Sequence, residues 1–188
     1  MVDALRVAVI IGSTRQGRVC PDVGAWFAGL AANRPDITVE TVDLAEFILS
    51  DDFTQAPTHD TRRFLKAINH AEAFVVVTPE YNRSFPAPLK RAIDHAYDEW
   101  HAKPVAFVSY GTRSDGLYAT EHLRQIFTEL HAVTVRNRLA LDLLRDLDQD
   151  GLPYDTDDRR QALSSMLDQL VWWGLALREA RRQRPYVS

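Results

Sequence analysis

Seven consecutive residues, Gly12-Ser13-Thr14-Arg15-Gln16-Gly17-Arg18, hold two glycines, two hydroxyls and two guanidinium groups. They follow directly on an apolar run and lead into a segment of helical pattern that opens near Pro21 and Asp22. Glycine permits tight backbone geometry. Backbone N–H groups near a helix start donate to phosphate oxygens, and the hydroxyls of Ser13 and Thr14 can add to them. Arg15 and Arg18 supply charge-assisted donors in a bidentate fork. The chemistry this composition suits is the capture of a phosphate. Two familiar phosphate loops do not fit: Arg18 and Val19 stand where a Walker A loop needs Lys and Ser/Thr, and the three spaced glycines of the dinucleotide fingerprint are absent.

A second stretch, Thr78-Pro79-Glu80-Tyr81-Asn82-Arg83-Ser84-Phe85-Pro86, places a carboxylate, an aromatic ring and an amide in succession. Pro79 biases Thr78 to an extended conformation and ends any helix there. Backbone groups and Asn82 suit the edge of a flat heteroaromatic ligand, with Tyr81 packed beside it. A third stretch, Ser109-Tyr110-Gly111, runs into Thr112-Arg113-Ser114-Asp115-Gly116. Gly111 allows close backbone approach by a ligand, and Ser109 can hydrogen-bond to it.

Such groups act together only if the chain brings them together. Five short apolar stretches, Leu5–Ile11, Ile37–Asp43, Ala73–Thr78, Pro104–Ser109 and Val133–Leu139, lack clean alternation, as expected of strands covered on both faces. Their starts fall about 30 residues apart, the length of a strand, a crossover helix and two loops. Helical stripes lie between them. Val23, Trp26, Phe27 and Leu30 form one, and Leu89, Ala92, Ile93, Ala96, Tyr97 and Trp100 form a continuous second. Ala119, Leu123, Ile126, Phe127 and Leu130 form a third, and Leu163, Met166, Leu167 and Leu170 open a long last helix. The expected fold is α/β, a parallel sheet with helices on both faces. Ligands of such folds sit beyond the carboxyl ends of the strands, at the loops after Ile11, Thr78 and Ser109. No repeat or second domain is visible, so residues 1–188 read as one domain, with the polar segment 146–160 as a surface connection.

The 188 residues carry a net charge of −4, which gives no general attraction to nucleic acid or anionic membrane. Cys20 is the only cysteine, which excludes an intrachain disulfide. Met1 to Arg6 show no basic region followed by an apolar core, so no signal peptide is expected, and a reducing cytoplasm is the expected address. Asp146, Asp148, Asp150 and Gly151 open like a calcium loop, but Asp157 replaces its bidentate Glu and Pro153 interrupts it. The histidines show no metal-ligand spacing, so no metal is expected. Cys20, close to a helix start, reads as a structural thiol. Arg178-Glu179-Ala180-Arg181-Arg182 reads as a charged face.

Together the three loops resemble the NADPH-dependent FMN reductase family, whose members include FMN, quinone, azo and chromate reductases. The resemblance rests on Gly12 to Arg18, Thr78-Pro79-Glu80-Tyr81-Asn82, Leu89-Lys90-Arg91-Ala92-Ile93-Asp94 and Ser109-Tyr110-Gly111, and covers roughly Leu5 to Leu139. It implies a flavodoxin-like three-layer sandwich with a five-stranded parallel sheet of order 2-1-3-4-5. It implies FMN, its phosphate at Ser13, Thr14, Arg15, Gly17 and Arg18 and its ring at Pro79, Glu80, Tyr81 and Asn82, with Ser109, Tyr110 and Gly111. NADPH or NADH would be the electron donor and FMN, a quinone or a similar small molecule the acceptor. The flavin carries that chemistry, so no catalytic side chain is expected. The resemblance also suggests a homodimer or a dimer of dimers, for which the Leu89 to Trp100 stripe and Trp172-Trp173 offer apolar surface. Two departures stand out: Arg83, where the family often has an aromatic or small residue, and Thr112-Arg113-Ser114-Asp115 in place of a more glycine-rich run. Two other readings remain open: an FMN-binding electron carrier or redox sensor without turnover, and a flavin-less scaffold. Arg15 and Arg18 weigh against the carrier, because flavodoxin-type phosphate loops are typically rich in Ser/Thr and lack arginines.

Overall fold

The computed structural model describes residues 3–50, 52 and 56–187; Met1 and Val2, part of the start that argues against a signal peptide, lie outside the described residues. Runs of β-branched and aliphatic residues form β1 (Leu5–Ile11), β2 (Ile37–Asp43), β3 (Ala73–Pro79) and β4 (Pro104–Gly111). The helices are α1 (Cys20–Ala31), α2 (His59–His70), α3 (Ala87–His95), α4 (Leu117–Glu129) and α5 (Asp157–Gln183). The strands are parallel and ordered β2-β1-β3-β4, as the alternation of strand and helix requires.

Every residue of β3 and β4 is buried, while the edge strand β2 keeps Thr38, Glu40 and Thr41 exposed. Neighbouring side chains on a strand point to opposite faces. Val9 and Val75 therefore join Val23, Phe27, Leu167 and Leu170 in a core shared with α1 and α5. Ile10 and Phe74 join Phe64, Ile68, Leu89 and Phe127 in a second core shared with α2, α3 and α4. The result is the expected flavodoxin-like arrangement of three layers.

Three local expectations are corrected. The fifth strand is not continuous over Val133 to Leu139. It is two short strands, β5 (Val133–Thr134) and β6 (Leu139–Asp142), each paired with β4. The residues between them leave the ladder because side chains take their backbone groups: Arg124 donates to the carbonyls of Val135 (2.6 Å) and Arg136 (2.9 Å), and Gln169 accepts from the Asn137 N–H (3.0 Å). The stripe from Leu89 to Trp100 is likewise broken, because α3 ends at His95 and Ala96 is extended. A single 3₁₀ turn, Asp98–Trp100, then brings the Trp100 ring edge-on to Phe74 (4.6 Å) and Phe127 (5.4 Å), with its Nε1–H on the Ile93 carbonyl (3.1 Å). The last helix starts at Asp157, inside the segment expected to be a connection, where Thr156 accepts from the Arg159 N–H.

The aspartates of the calcium-like segment are occupied by that connection itself. Asp148 accepts from the N–H groups of Asp150 and Leu152 (2.9 Å each), and Asp146 pairs with Arg159 (3.0 Å).

Candidate active site

In the order β2-β1-β3-β4 the winding of the sheet reverses between β1 and β3, and such folds place a ligand crevice beyond the carboxyl ends of those strands. The first loop leaves β1 at Gly12, whose N–H donates to the Val77 carbonyl (2.8 Å). A Cβ on Gly12 would stand 2.8 Å from that same oxygen, so only glycine lets the loop start this close to β3. Thr14, Arg15, Gln16 and Gly17 are exposed, and Gly17 takes φ +70°. Beyond them α1 begins without a side-chain cap.

Two residues of this loop are held inside it. The Ser13 hydroxyl is completely buried, lies near Cys20 and Tyr110, and makes no hydrogen bond of regular geometry. Arg18 donates to both carboxylate oxygens of Asp43 (2.7 Å each) and to the Ser13 carbonyl (2.5 Å). Its guanidinium, expected from its residue type to face a phosphate, instead ties the loop to the end of β2. Asp43 completes the tie by accepting from the Ala45 N–H (3.0 Å).

Arg15 connects the first loop to the second: its guanidinium lies 4.2 Å from the centroid of the Tyr81 ring. Tyr81 and Ser84 exchange two backbone hydrogen bonds (2.8 and 3.0 Å) around Asn82 (φ +50°) and Arg83 (φ +64°), a tight turn with both central residues left-handed. Asparagine tolerates that conformation better than arginine. Arg83 in turn lies 4.0 Å from the Tyr118 ring, a contact that offsets part of its strain.

Glu80 joins the second loop to the third. Its N–H donates to the Tyr110 carbonyl (2.8 Å), and its carboxylate accepts from the Tyr118 N–H (2.9 Å) in the first turn of α4, where a negative charge is favoured. The Ser109 hydroxyl donates to the Asp115 carbonyl (2.9 Å) and accepts from Arg138 (2.7 Å). That closure requires Gly116 (φ +75°), where a Cβ would meet Ser109 Cβ at 2.5 Å and the Tyr110 nitrogen at 2.7 Å. Gly111 packs close to Glu80 at the end of β4. Tyr110 does not turn toward the crevice. Its ring enters the core beside Cys20, and burial, with Cys20 next, pushes its hydroxyl far above the ordinary range. Burial also raises the Cys20 thiol, which donates to the Val77 carbonyl (3.2 Å), as expected of a structural thiol. Burial lowers Arg138, with Asp115 opposing the shift.

Thus Arg15 meets Tyr81, Glu80 meets Tyr110 and the start of α4, and Gly111 packs against Glu80, which brings the three loops side by side with Thr14, Arg15 and Gly17 exposed and Asn82 at the turn of the second loop. Arg18, Ser109 and Tyr110 are instead engaged within the protein. Asp43, Arg138 and Gly116 emerge only from the structure: Asp43 ends β2 and Arg138 lies between β5 and β6, and no local spacing marks them as partners of these loops.

Residues 5–144 match the family model described as NADPH-dependent FMN reductase. An NAD(P)H-dependent FMN reductase of Schizosaccharomyces pombe is 35% identical over 153 residues, which cover 75% of this chain and 74% of that protein. A 2-hydroxy-1,4-benzoquinone reductase of Burkholderia sp is 30% identical over 180 residues, 90% of this chain and 96% of that protein. Among solved structures, a flavoenzyme NAD(P)H:acceptor oxidoreductase from Paracoccus denitrificans superposes with a TM-score of 0.77 at 22% identity, covering 92% of this chain and 98% of that one.

The tie between Arg18 and Asp43 gives a first prediction. Arg18→Ala leaves a mostly buried carboxylate without its partner and should lower stability by about 1–3 kcal/mol. Chemical denaturation should show the midpoint falling with the slope unchanged; an unaltered midpoint would mean that Arg18 does not hold the loop.

Proposed function

The chain belongs to the NADPH-dependent FMN reductase family, and on that premise we propose that it binds FMN and uses NAD(P)H to reduce FMN, a quinone or a similar small acceptor. The observation that carries the proposal is that one family match spans all three loops, and that these loops lie side by side at the carboxyl ends of β1, β3 and β4, joined by Arg15 on the Tyr81 ring and the Glu80 N–H on the Tyr110 carbonyl.

The residues present fit the cofactor. A phosphate suits exposed Arg15, Thr14 and the uncapped start of α1. A flat ring suits the backbone from Pro79 to Asn82. Bound FMN supplies the two-electron chemistry between the nicotinamide and the acceptor. The chain's own contribution is position. Arg18 orients the Ser13 carbonyl, and Ser109 with Arg138 holds the third loop. Glu80, bound to the Tyr118 N–H, fixes the second loop against α4. Asn82 sits at the tip of that loop and would orient the ring more than anchor the cofactor.

We further propose that residues 1–188 form one FMN-binding domain that pairs as a homodimer. Leu89 and Trp100, expected to supply part of the seam, are buried in the core and cannot. The Trp pair can: Trp172 is 64% exposed and Trp173 38% exposed on α5. No helix among the described residues is long and apolar enough to cross a membrane.

Three measurements test this reading. The purified protein should take up FMN at micromolar concentration and lose the flavin's visible absorbance when NADPH is added without oxygen, with steady NAD(P)H consumption once a quinone is supplied. No flavin uptake would end the proposal, and uptake without consumption would make the protein a carrier. Arg15→Ala should weaken FMN binding roughly ten- to a hundred-fold, the worth of one charge-assisted hydrogen bond at about 1.5–3 kcal/mol. Its thermal midpoint should stay put, because Arg15 is exposed. Sedimentation at micromolar concentration should give the dimer mass for the parent and a monomer for Trp172→Glu; a monomeric parent would remove the α5 seam.

A further inference from the structure

A strongly cationic cavity lies at the other end of the sheet. Arg6 is the second residue of β1, and Glu72 and Lys103 immediately precede β3 and β4. The last turns of α5 reach over these strand starts with Arg178, Arg181 and Arg182, and together they border an open cleft of about 700 Å³. That volume is typical of small-molecule sites. We propose that this cavity is an anion site, separate from the flavin crevice, that takes the phosphate or diphosphate end of a small molecule.

Charge carries the inference. Five cations line the cavity against two carboxylates, Glu72 and Asp98, a formal surplus of +3 in a chain whose net charge is −4. Internal contacts absorb only part of it. Glu72, buried, pairs with Arg6 (3.2 Å) and Arg178 (3.3 Å), whereas the Asp98 side chain is 87% exposed and gives little compensation. Lys103 donates to the carbonyls of Ile68 (3.0 Å) and Asn69 (3.1 Å), and Arg6 to that of His70 (2.9 Å), at the negative end of α2. Arg181 donates to the Ala102 carbonyl. Arg178 is buried on Glu72 and the carbonyls of Asp3 and Ala4, whereas Arg6, Arg181 and the exposed Arg182 keep donors for an oxyanion.

The surplus is felt by its members. Burial and then the charge of Arg181 hold the Lys103 ammonium down to about 8, and burial with Arg178 and Arg6 lowers Arg181. A bound anion would relieve both. A second observation comes from His101 on the same wall. It is only 9% exposed, and its Nε2 has no hydrogen-bond partner. Its ring stacks on His131 (5.0 Å, 24°), which in turn takes the Tyr186 hydroxyl (2.9 Å) and so pins the C-terminal segment along the rim. His101 and Tyr186 thereby give flat walls to whatever group carries the phosphate.

The test is calorimetric titration of the FMN-saturated protein with pyrophosphate and with inorganic phosphate. Saturable binding is expected, with pyrophosphate the tighter. Arg182→Gln, an exposed substitution that should leave the fold intact, should weaken pyrophosphate binding about tenfold, and Arg181→Gln combined with it should weaken binding further. Arg15→Ala should leave the affinity unchanged. No binding at millimolar concentration overturns the proposal. So does binding that Arg15→Ala removes and Arg182→Gln does not, because the anion would then sit at the first loop. Neither result depends on whether the flavin turns over.

Discussion

Burial of β3 and β4 on both faces is the constraint to which the rest of the structure answers. A strand covered by helices above and below has no place for a charged side chain without a partner, since an isolated buried charge costs far more than one packing contact returns. Polar chemistry is therefore driven to the strand ends. At the carboxyl ends it appears as the three loops that begin at Gly12, Glu80 and Gly111. At the amino ends it appears as Arg6, Glu72 and Lys103, each at or just before the first buried residues of its strand. Both sites proposed here follow from that one exclusion, and the strand register that aligns Val9 with Val75 aligns the loops as well.

Within the carboxyl-end site, residues of one type divide between making the site and serving it. Arg15 and Arg18 are three positions apart and chemically identical. Arg18 is spent on Asp43 and the Ser13 carbonyl, so it fixes where the loop runs. Arg15 touches only the Tyr81 face among the contacts described, which leaves its N–H groups directed to solvent or ligand. Ser109, closed by Arg138 and Asp115, belongs with Arg18. A ligand site needs both kinds: a rigid wall whose hydrogen bonds are complete, and a few groups whose hydrogen bonds are left for the ligand.

These divisions explain what the amino-acid sequence could and could not reveal. The four long strands were legible because burial on both faces demands short, nearly unbroken apolar runs, and the stripes of α1 and α4 because burial on one face imposes a period. The three loops were legible because a parallel sheet must place them together. Where side chains override the backbone pattern, legibility ends. Arg124 and Gln169 interrupt the fifth strand from distant helices, and the Trp100 ring reaches the core only after α3 has stopped. Helix α2 is amphipathic but poor in apolar residues: Thr61, Phe64 and Ile68 bury one face among arginines, a lysine and histidines, so it shows no long apolar stripe. At the site, residue types identified the loops, but the partners that decide each role, Asp43 for Arg18 and Arg138 for Ser109, come from distant parts of the chain.

The amino-end cavity shows the same limit for charge. A net charge of −4 speaks against general attraction to anions, yet it is an average over a surface where acids and bases are sorted. Acidic residues crowd the connection before α5, from Asp142 to Asp158, while the last turns of α5 carry Arg178, Arg181 and Arg182 to the strand starts. In sequence those arginines read as a charged helical face bound for solvent. What changes their meaning is the length of α5. Its 27 residues begin beyond β6 and run back along the sheet until Arg178 reaches Glu72 and the carbonyls of Asp3 and Ala4. A helix four turns shorter would end before Arg178 and leave the strand starts open to water. The helix that covers one face of the core thus also gathers the charge that covers its end.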